Sequence, residues 1–158
     1  MKMYKYIYCF IGTALILFDR VTKLWAEQNL VVPKEVTSFF SWELAHNTGV
    51  SFSLFAHHGS VAFWFLTLSI IALLIAFIRV MVQRKRSGHN VIGEMLVVAG
   101  GFGNVCDRLW YGYVIDFIHV HYAGWSFPYF NVADICIVSG IGYIMVQLLI
   151  EEWKNKRT

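Results

Sequence analysis

Four apolar runs free of charged residues mark the chain, and their lengths set the architecture. Between Ser60 and Ile78 lie 19 uncharged residues; as a helix at about 1.5 Å per residue they span roughly 28 Å, close to the hydrocarbon thickness of a bilayer. Ile135 to Ile150 supplies 16 more between Asp134 and Glu151, Met95 to Cys106 supplies 12 between Glu94 and Asp107, and Tyr6 to Phe18 supplies 13. The first run is short enough for a signal-peptide core, but no small-residue cleavage site follows Phe18. Helical patterning instead continues through Asp19, Arg20, Thr22 and Lys23 to Trp25, so an uncleaved first helix is expected. The pattern predicts an all-α polytopic membrane protein with four transmembrane helices, at approximately 4–25, 60–80, 91–109 and 133–151, in a single membrane-embedded domain, 1–158.

The connections differ in character. Residues 26–59 and 110–132 are long and rich in aromatics and turn-formers, whereas 81–90 is short and basic. Val36 to Trp42 and Val50 to Phe55 have strand-like composition, which predicts a small extracytoplasmic β-rich subdomain made by the long loops. There is no internal repeat, low-complexity tract or second soluble domain.

Composition removes the soluble alternatives. Hydrophobic residues make up 58% of the chain and charged residues 15%, against about 25% charged in average globular proteins. Three distant cysteines, Cys9, Cys106 and Cys136, suit neither a disulfide framework nor a thiolate zinc site, and read as small side chains in buried helices. The net charge of +3 matters less than where the charges sit. Lys2 and Lys5 precede the first run, Arg79, Arg84, Lys85 and Arg86 follow the second, and Lys154, Lys156 and Arg157 close the chain. Basic clusters that abut apolar runs follow the positive-inside rule rather than indicate a nucleic-acid partner. Four crossings then put all three clusters, both termini and 81–90 in the cytoplasm, with 26–59 and 110–132 outside.

Polar residues within such a chain are costly, and by default they face a bundle interior or a cavity. Asp19, Thr22 and Lys23 share one face of the first helix, where a simple interfacial ion pair would also explain them. Asn104, Asp107 and Arg108 lie at the outer end of the third helix. Asp134 begins the fourth, with Asn131 placed three residues earlier to cap it. Asp116 lies in the connecting loop within Tyr113-Val114-Ile115-Asp116-Phe117-Ile118. Two aspartates sharing a site do not both ionise easily, so one keeps a proton while the other acts as base for water, as in aspartic proteases. Composition does not choose the pair among Asp107, Asp116 and Asp134. Asp107, adjacent to Arg108, reads most simply as a salt-bridged structural acid.

Five motifs then carry a resemblance along nearly the whole chain: Asp19-Arg20-Val21-Thr22-Lys23, Asn47-Thr48-Gly49-Val50-Ser51-Phe52, Gly103-Asn104-Val105-Cys106-Asp107-Arg108, Val114-Ile115-Asp116-Phe117 and Phe130-Asn131-Val132-Ala133-Asp134. In this order the chain resembles the lipoprotein signal peptidase family, also called signal peptidase II. The resemblance implies a bacterial inner-membrane aspartic endopeptidase. Such an enzyme removes the signal peptide from a prolipoprotein on the amino side of a cysteine that carries a diacylglyceryl group. It implies Asp116 and Asp134 as the catalytic dyad, Asn47, Asn104, Asp107, Arg108 and Asn131 as substrate-binding or site-shaping residues, and Asp19 and Lys23 as an architectural motif. Prolipoprotein and membrane lipids are the implied partners, with no cofactor and no obligate protein partner.

Several constellations suggest other chemistry. Asp116, His119 and His121 have the types of metal ligands, yet no further ligand set has matching spacing and an aspartyl mechanism needs no metal. His46, His57, His58 and the aromatics Trp42, Trp110, Tyr111, Tyr113 and Trp125 suit an interfacial belt. The small residues Ala99, Gly100, Gly101, Gly103, Ser139, Gly140 and Gly142 suit close helix packing or room for a ligand. The rival function is a small four-helix proton or cation transporter. Its acids would line a path across the bilayer, whereas here only Glu94 lies toward the inner side. Within the dyad, Asp134 in a first helical turn meets the positive dipole end, while Asp116 has apolar neighbours that disfavour charge. Asp116 is therefore expected to hold the shared proton.

Overall fold

A computed structural model describes residues 2–49 and 61–157. Four helices and one small sheet follow in the order α1 (Lys2–Asn29), β1 (Lys34–Thr37), β2 (Phe40–Asn47), α2 (Val61–Arg86), α3 (Ile92–Tyr111), β3 (Val114–Tyr122), β4 (Trp125–Ser126) and α4 (Val132–Asn155). The mostly helical architecture with a small sheet is as the sequence predicts. Val36 to Trp42 is not one strand: a turn at Ser38 and Phe39 divides it into the β1–β2 hairpin. Val50 to Phe55, His57 and His58 lie outside the described residues.

Two helices, α2 and α4, are long and apolar enough to cross a membrane. Along α2 only Phe63 and Thr67 are buried, while Phe65, Leu68 and Leu73 face outward, as expected of a helix whose solvent is lipid. α1 and α3 are more polar. α1 carries Asp19, Arg20, Lys23 and Glu27 in its C-terminal half, and α3 carries Glu94 near one end and Asp107 and Arg108 near the other.

Small residues let α3 and α4 pack closely. A Cβ on Gly93 would lie 2.9 Å from the Gly140 carbonyl oxygen, and one on Gly140 would lie 2.6 Å from that of Gly93. The pair therefore serves backbone approach rather than a ligand cavity. Gly103 admits a carboxylate in the same way, its missing Cβ position lying 2.7 Å from Asp19 Oδ2. Of the cysteines, only Cys136 is buried; Cys9 and Cys106 lie exposed on helix surfaces, contrary to the expectation for all three.

The antiparallel sheet has the order β1-β2-β3-β4. Gly112, in the left-handed region at φ 81°, caps α3 through its N–H to the Arg108 carbonyl and turns the chain into β3. The loop expected to hold Asp116 is therefore a nine-residue strand, whose first five residues are all buried. The β-branched and aromatic content of Val114 to Ile118 favours that strand. Ala26 of α1 and Leu30 just after it pack against Phe117 and Ile118 of β3, with Phe40, Trp42 and Leu44 around them. This cluster docks the sheet on the C-terminal end of α1.

Candidate active site

Asp116 pairs with Ala45 across β2 and β3, two residues from Asn47 at the end of β2. The Asn47 side-chain amide donates to Asp116 Oδ2 at 2.8 Å, and Asn131 Nδ2 donates to Oδ1 at 2.6 Å. Asn131 also caps α4: its Oδ1 accepts from the Asp134 N–H at 3.0 Å, while its own N–H donates to Asp134 Oδ2 at 3.1 Å. One fully buried asparagine thus contacts both carboxyl groups. Asn104 supplies a second link, its Nδ2 donating to Asp134 Oδ1 at 2.8 Å and its Oδ1 accepting from Asn131 Nδ2 at 3.2 Å.

The orientation of the Asn104 amide is determined by a cation. Lys23, wholly buried, donates to Asn104 Oδ1 at 2.9 Å, which leaves the NH₂ end for Asp134. The ammonium is itself compensated by Asp19 Oδ2 at 2.8 Å and Asp107 Oδ2 at 2.9 Å. Arg20 Nη1 completes the group at 2.8 Å from Asp107 Oδ1. Asp19 Oδ1 accepts the Ala133 N–H at 2.9 Å, so the motif on α1 also holds the first turn of α4 beside Asp134. Buried charges persist when each is paired and hydrogen-bonded, as Lys23, Asp19 and Asp107 are; Arg20 Nε and Nη2 make no hydrogen bond among the described residues.

Asp107 is a salt-bridged acid as expected, but its partners are Arg20 and Lys23 rather than Arg108. Arg108 donates instead to the Asn104 carbonyl at 3.3 Å, and the charges of Asp116, Asp134 and Asp107 all act on it. Its Nε has no hydrogen-bond partner among the described residues. All nine candidate positions, Asp19, Lys23, Asn47, Asn104, Asp107, Arg108, Asp116, Asn131 and Asp134, are joined by these contacts. Six of them are charged residues, and with Arg20 they converge at one end of the bundle. Glu94, about 20 Å along α3 from Asp107 at 1.5 Å per residue, pairs with Arg84 at the other end.

Electrostatics distinguishes Asp116. Burial, the largest cause, pushes its carboxyl up to about 6, and the Asp134 charge adds to the rise. Hydrogen bonds from Asn47 and Asn131, with the Lys23 charge, pull the other way. A cavity of about 300 Å³ opens against Asp116, lined by Ala45 to Thr48, Pro128 and Tyr129. Pro128, Tyr129, Thr48 and the network partner Glu43 were not legible as site residues. The only signal was the period of two that puts Ser41 and Glu43 on one face of β2. His119 meets these residues rather than a ligand cluster: its Nδ1 lies 3.2 Å from Glu43 Oε2 and 3.4 Å from Ser41 Oγ, and its Nε2 lies 2.7 Å from Ser126 Oγ.

Comparison with known proteins gives a consistent result. A family model described as signal peptidase (SPase) II matches residues 11–150. A lipoprotein signal peptidase of Buchnera aphidicola subsp. Schizaphis graminum is 34% identical over 148 residues, covering 92% of this chain and 94% of that protein. One from Teredinibacter turnerae is 40% identical over 141 residues, covering 85% and 83%. A solved structure titled as a bacterial membrane enzyme, at 1.9 Å resolution, has a TM-score of 0.73 at 26% identity, covering 90% of this chain and 92% of that one. A second, at 2.3 Å, has a TM-score of 0.67 with 92% and 89% covered.

Proposed function

The chain belongs to the signal peptidase II family, and from that premise we propose that Asp116 and Asp134 are its catalytic dyad. It is a bacterial membrane aspartic protease that cleaves lipoprotein signal peptides; a transporter is not favoured. The observation that carries the assignment is Asn131, whose single side chain contacts Asp116 Oδ1 and caps the helix turn bearing Asp134. Two carboxyls bridged in this way share one site, and Asp107 is fully engaged elsewhere.

The geometry supports a general acid–base reaction. With one carboxylate ionised and the other protonated, the base removes a proton from water as its oxygen attacks the scissile carbonyl carbon. The acid gives its proton to the carbonyl oxygen, forming a gem-diol. The former base, now carrying the water's proton, gives it to the amide nitrogen while a gem-diol hydroxyl returns its proton to the other carboxylate; the C–N bond breaks, leaving a carboxyl on the signal peptide and the new amine on the cysteine. Asp116, held up to about 6, is the group suited to carry the proton in the resting enzyme. Asn47, Asn104 and Asn131 fix both carboxyls, and Arg108 offers positive charge beside them. Asp19, Lys23 and Asp107 hold the helices that present the dyad.

We place the enzyme across the membrane four times, as one domain over 1–158, with both termini cytoplasmic and the sheet on the outer face. Supporting this, Arg84, Lys85 and Arg86 close α2 and Lys154 closes α4, at the ends remote from Asp134. The scissile bond of an apolar signal helix emerges at the membrane surface. The substrate is a prolipoprotein bearing diacylglycerol on its cysteine, cut on the amino side of that residue. Each lipid CH₂ buried contributes about 0.8 kcal/mol to membrane affinity, so the lipid holds the bond at the depth of the dyad. In vitro cleavage of lipidated and unlipidated forms of one precursor by the purified protein tests this. Preferential cleavage of the lipidated form is expected, and equal cleavage contradicts the depth argument.

A further inference from the structure

The cavity against Asp116 has a composition unlike a lipid site. All its lining residues belong to β2, to Thr48 just after it, to β3, or to the segment between β4 and α4. They mix an asparagine amide, a hydroxyl and an imidazole with Ala45, Pro128 and the Tyr129 ring. A wall of this kind suits polypeptide in water rather than an acyl chain or an apolar helix.

One side of the cavity is held rigidly by residues that peptide hydrolysis does not use. Tyr129 stacks on His119 with ring centroids 4.3 Å apart and planes 27° apart. The Glu43 carboxylate acts on the Tyr129 phenol and also faces His119 Nδ1 at 3.2 Å. Ser41 and Ser126 approach the two imidazole nitrogens at 3.4 and 2.7 Å. His46, which also lines the cavity, stacks on Tyr113 with ring centroids 4.2 Å apart. Both lining rings are thus held by a stacked neighbour before substrate arrives, which lowers the ordering cost of binding.

We propose that this cavity is the subsite for the first one or two residues that follow the lipidated cysteine of the substrate. The inference rests on the dyad assignment above, because Asp116 forms part of the cavity wall. Of the three parts of such a substrate, the signal helix and the diacylglycerol both partition into the bilayer. The chain after the cysteine alone has no membrane anchor. With the scissile bond at the dyad, that chain leaves on the watery side at about 3.3 Å per extended residue, directly over the sheet. A volume of about 300 Å³ lies at the lower end of ligand pockets, so it selects by side-chain size over a short length.

The test uses two lipidated precursors with the same signal sequence, carrying Gly-Gly or Phe-Phe directly after the cysteine. Cleavage by purified wild type, Ala45→Phe and Tyr129→Ala is measured as the ratio of kcat/KM for the two precursors, so partial loss of folded enzyme cancels. The wild type favours Gly-Gly by about tenfold, in the range one pocket contact supplies. Tyr129→Ala, which opens the wall, brings the ratio toward one, and Ala45→Phe increases it further. A ratio unchanged in both variants overturns the subsite, as does a response to residues before the cysteine instead. Asp116→Asn is assayed in parallel on both precursors: cleavage by that variant sinks the dyad assignment, and the ratios remain readable on their own.

Discussion

Replacing Asn131 separates the two tasks that its side chain performs. In Asn131→Ala the N-cap of α4 is lost, which costs about 1 kcal/mol. The buried Asp116 carboxyl also loses the donor now 2.6 Å from Oδ1, and leaving such a group unsatisfied costs roughly 1–3 kcal/mol. The expected destabilisation is therefore about 2–4 kcal/mol. Asn131→Ser restores an oxygen that accepts from the Asp134 N–H, the bond now made by Oδ1 at 3.0 Å. It supplies no amide to reach Asp116, so it should be less destabilised than the alanine variant by about 1 kcal/mol. Both variants leave the dyad without its bridge, and a misplacement on the order of 1 Å is enough for about a hundredfold loss of rate. Thermal unfolding in detergent and precursor cleavage, measured on the same preparations, read the two effects. Equal unfolding of the serine and alanine variants would remove the capping role. Near-normal cleavage by both would refute the view that Asn131 positions the pair.

Asp116, with its folded carboxyl raised to about 6, contributes stability that is complete below its unfolded value of 3.8 and is lost as pH rises through about 6. A rise of about 2 units corresponds to roughly 3 kcal/mol, so stability of the wild type should fall between pH 4 and 6 relative to Asp116→Asn, and parallel profiles would contradict this. Lys23→Met leaves Asp19 and Asp107 without the ammonium now within 2.9 Å of both; a loss of about 3–5 kcal/mol is expected in detergent unfolding, as for other broken buried pairs. Arg20→Ala, whose side chain is 30% exposed, should cost less, and the reverse order would be inconsistent with the network. Reporter fusions after Lys85 and Arg157 should lie in the cytoplasm and fusions near Pro33 and Gly124 outside; a cytoplasmic reporter at Gly124 would remove the last two crossings.

Local signals in the sequence went furthest where one physical cause dominates. The apolar run from Ser60 to Ile78 lies mostly within α2, because burying a membrane-length apolar segment outweighs every competing local preference. Asn131 three residues before Asp134 forms the capping box, because that bond depends on local spacing alone. Long-range pairing was less accessible. The neighbour of Asp107 in the chain is Arg108, yet its partners in space are Arg20 and Lys23 on another helix. The i, i+4 spacing of Asp19 and Lys23 gives their pair, but not that Lys23 fixes the Asn104 amide 81 positions away. Tyr129 and Glu43 carry no motif, and only the crossing of the 127–130 segment beside β3 brings them together.

The central claim is that Asp116 and Asp134 together cut the precursor. Each is replaced singly by Asn, which keeps shape and removes the carboxyl, and the purified variants are given lipidated prolipoprotein under single-turnover conditions. Both variants should bind the precursor with near-normal affinity and release no signal peptide. Substantial cleavage by either, in a preparation that unfolds like the wild type, would contradict the account.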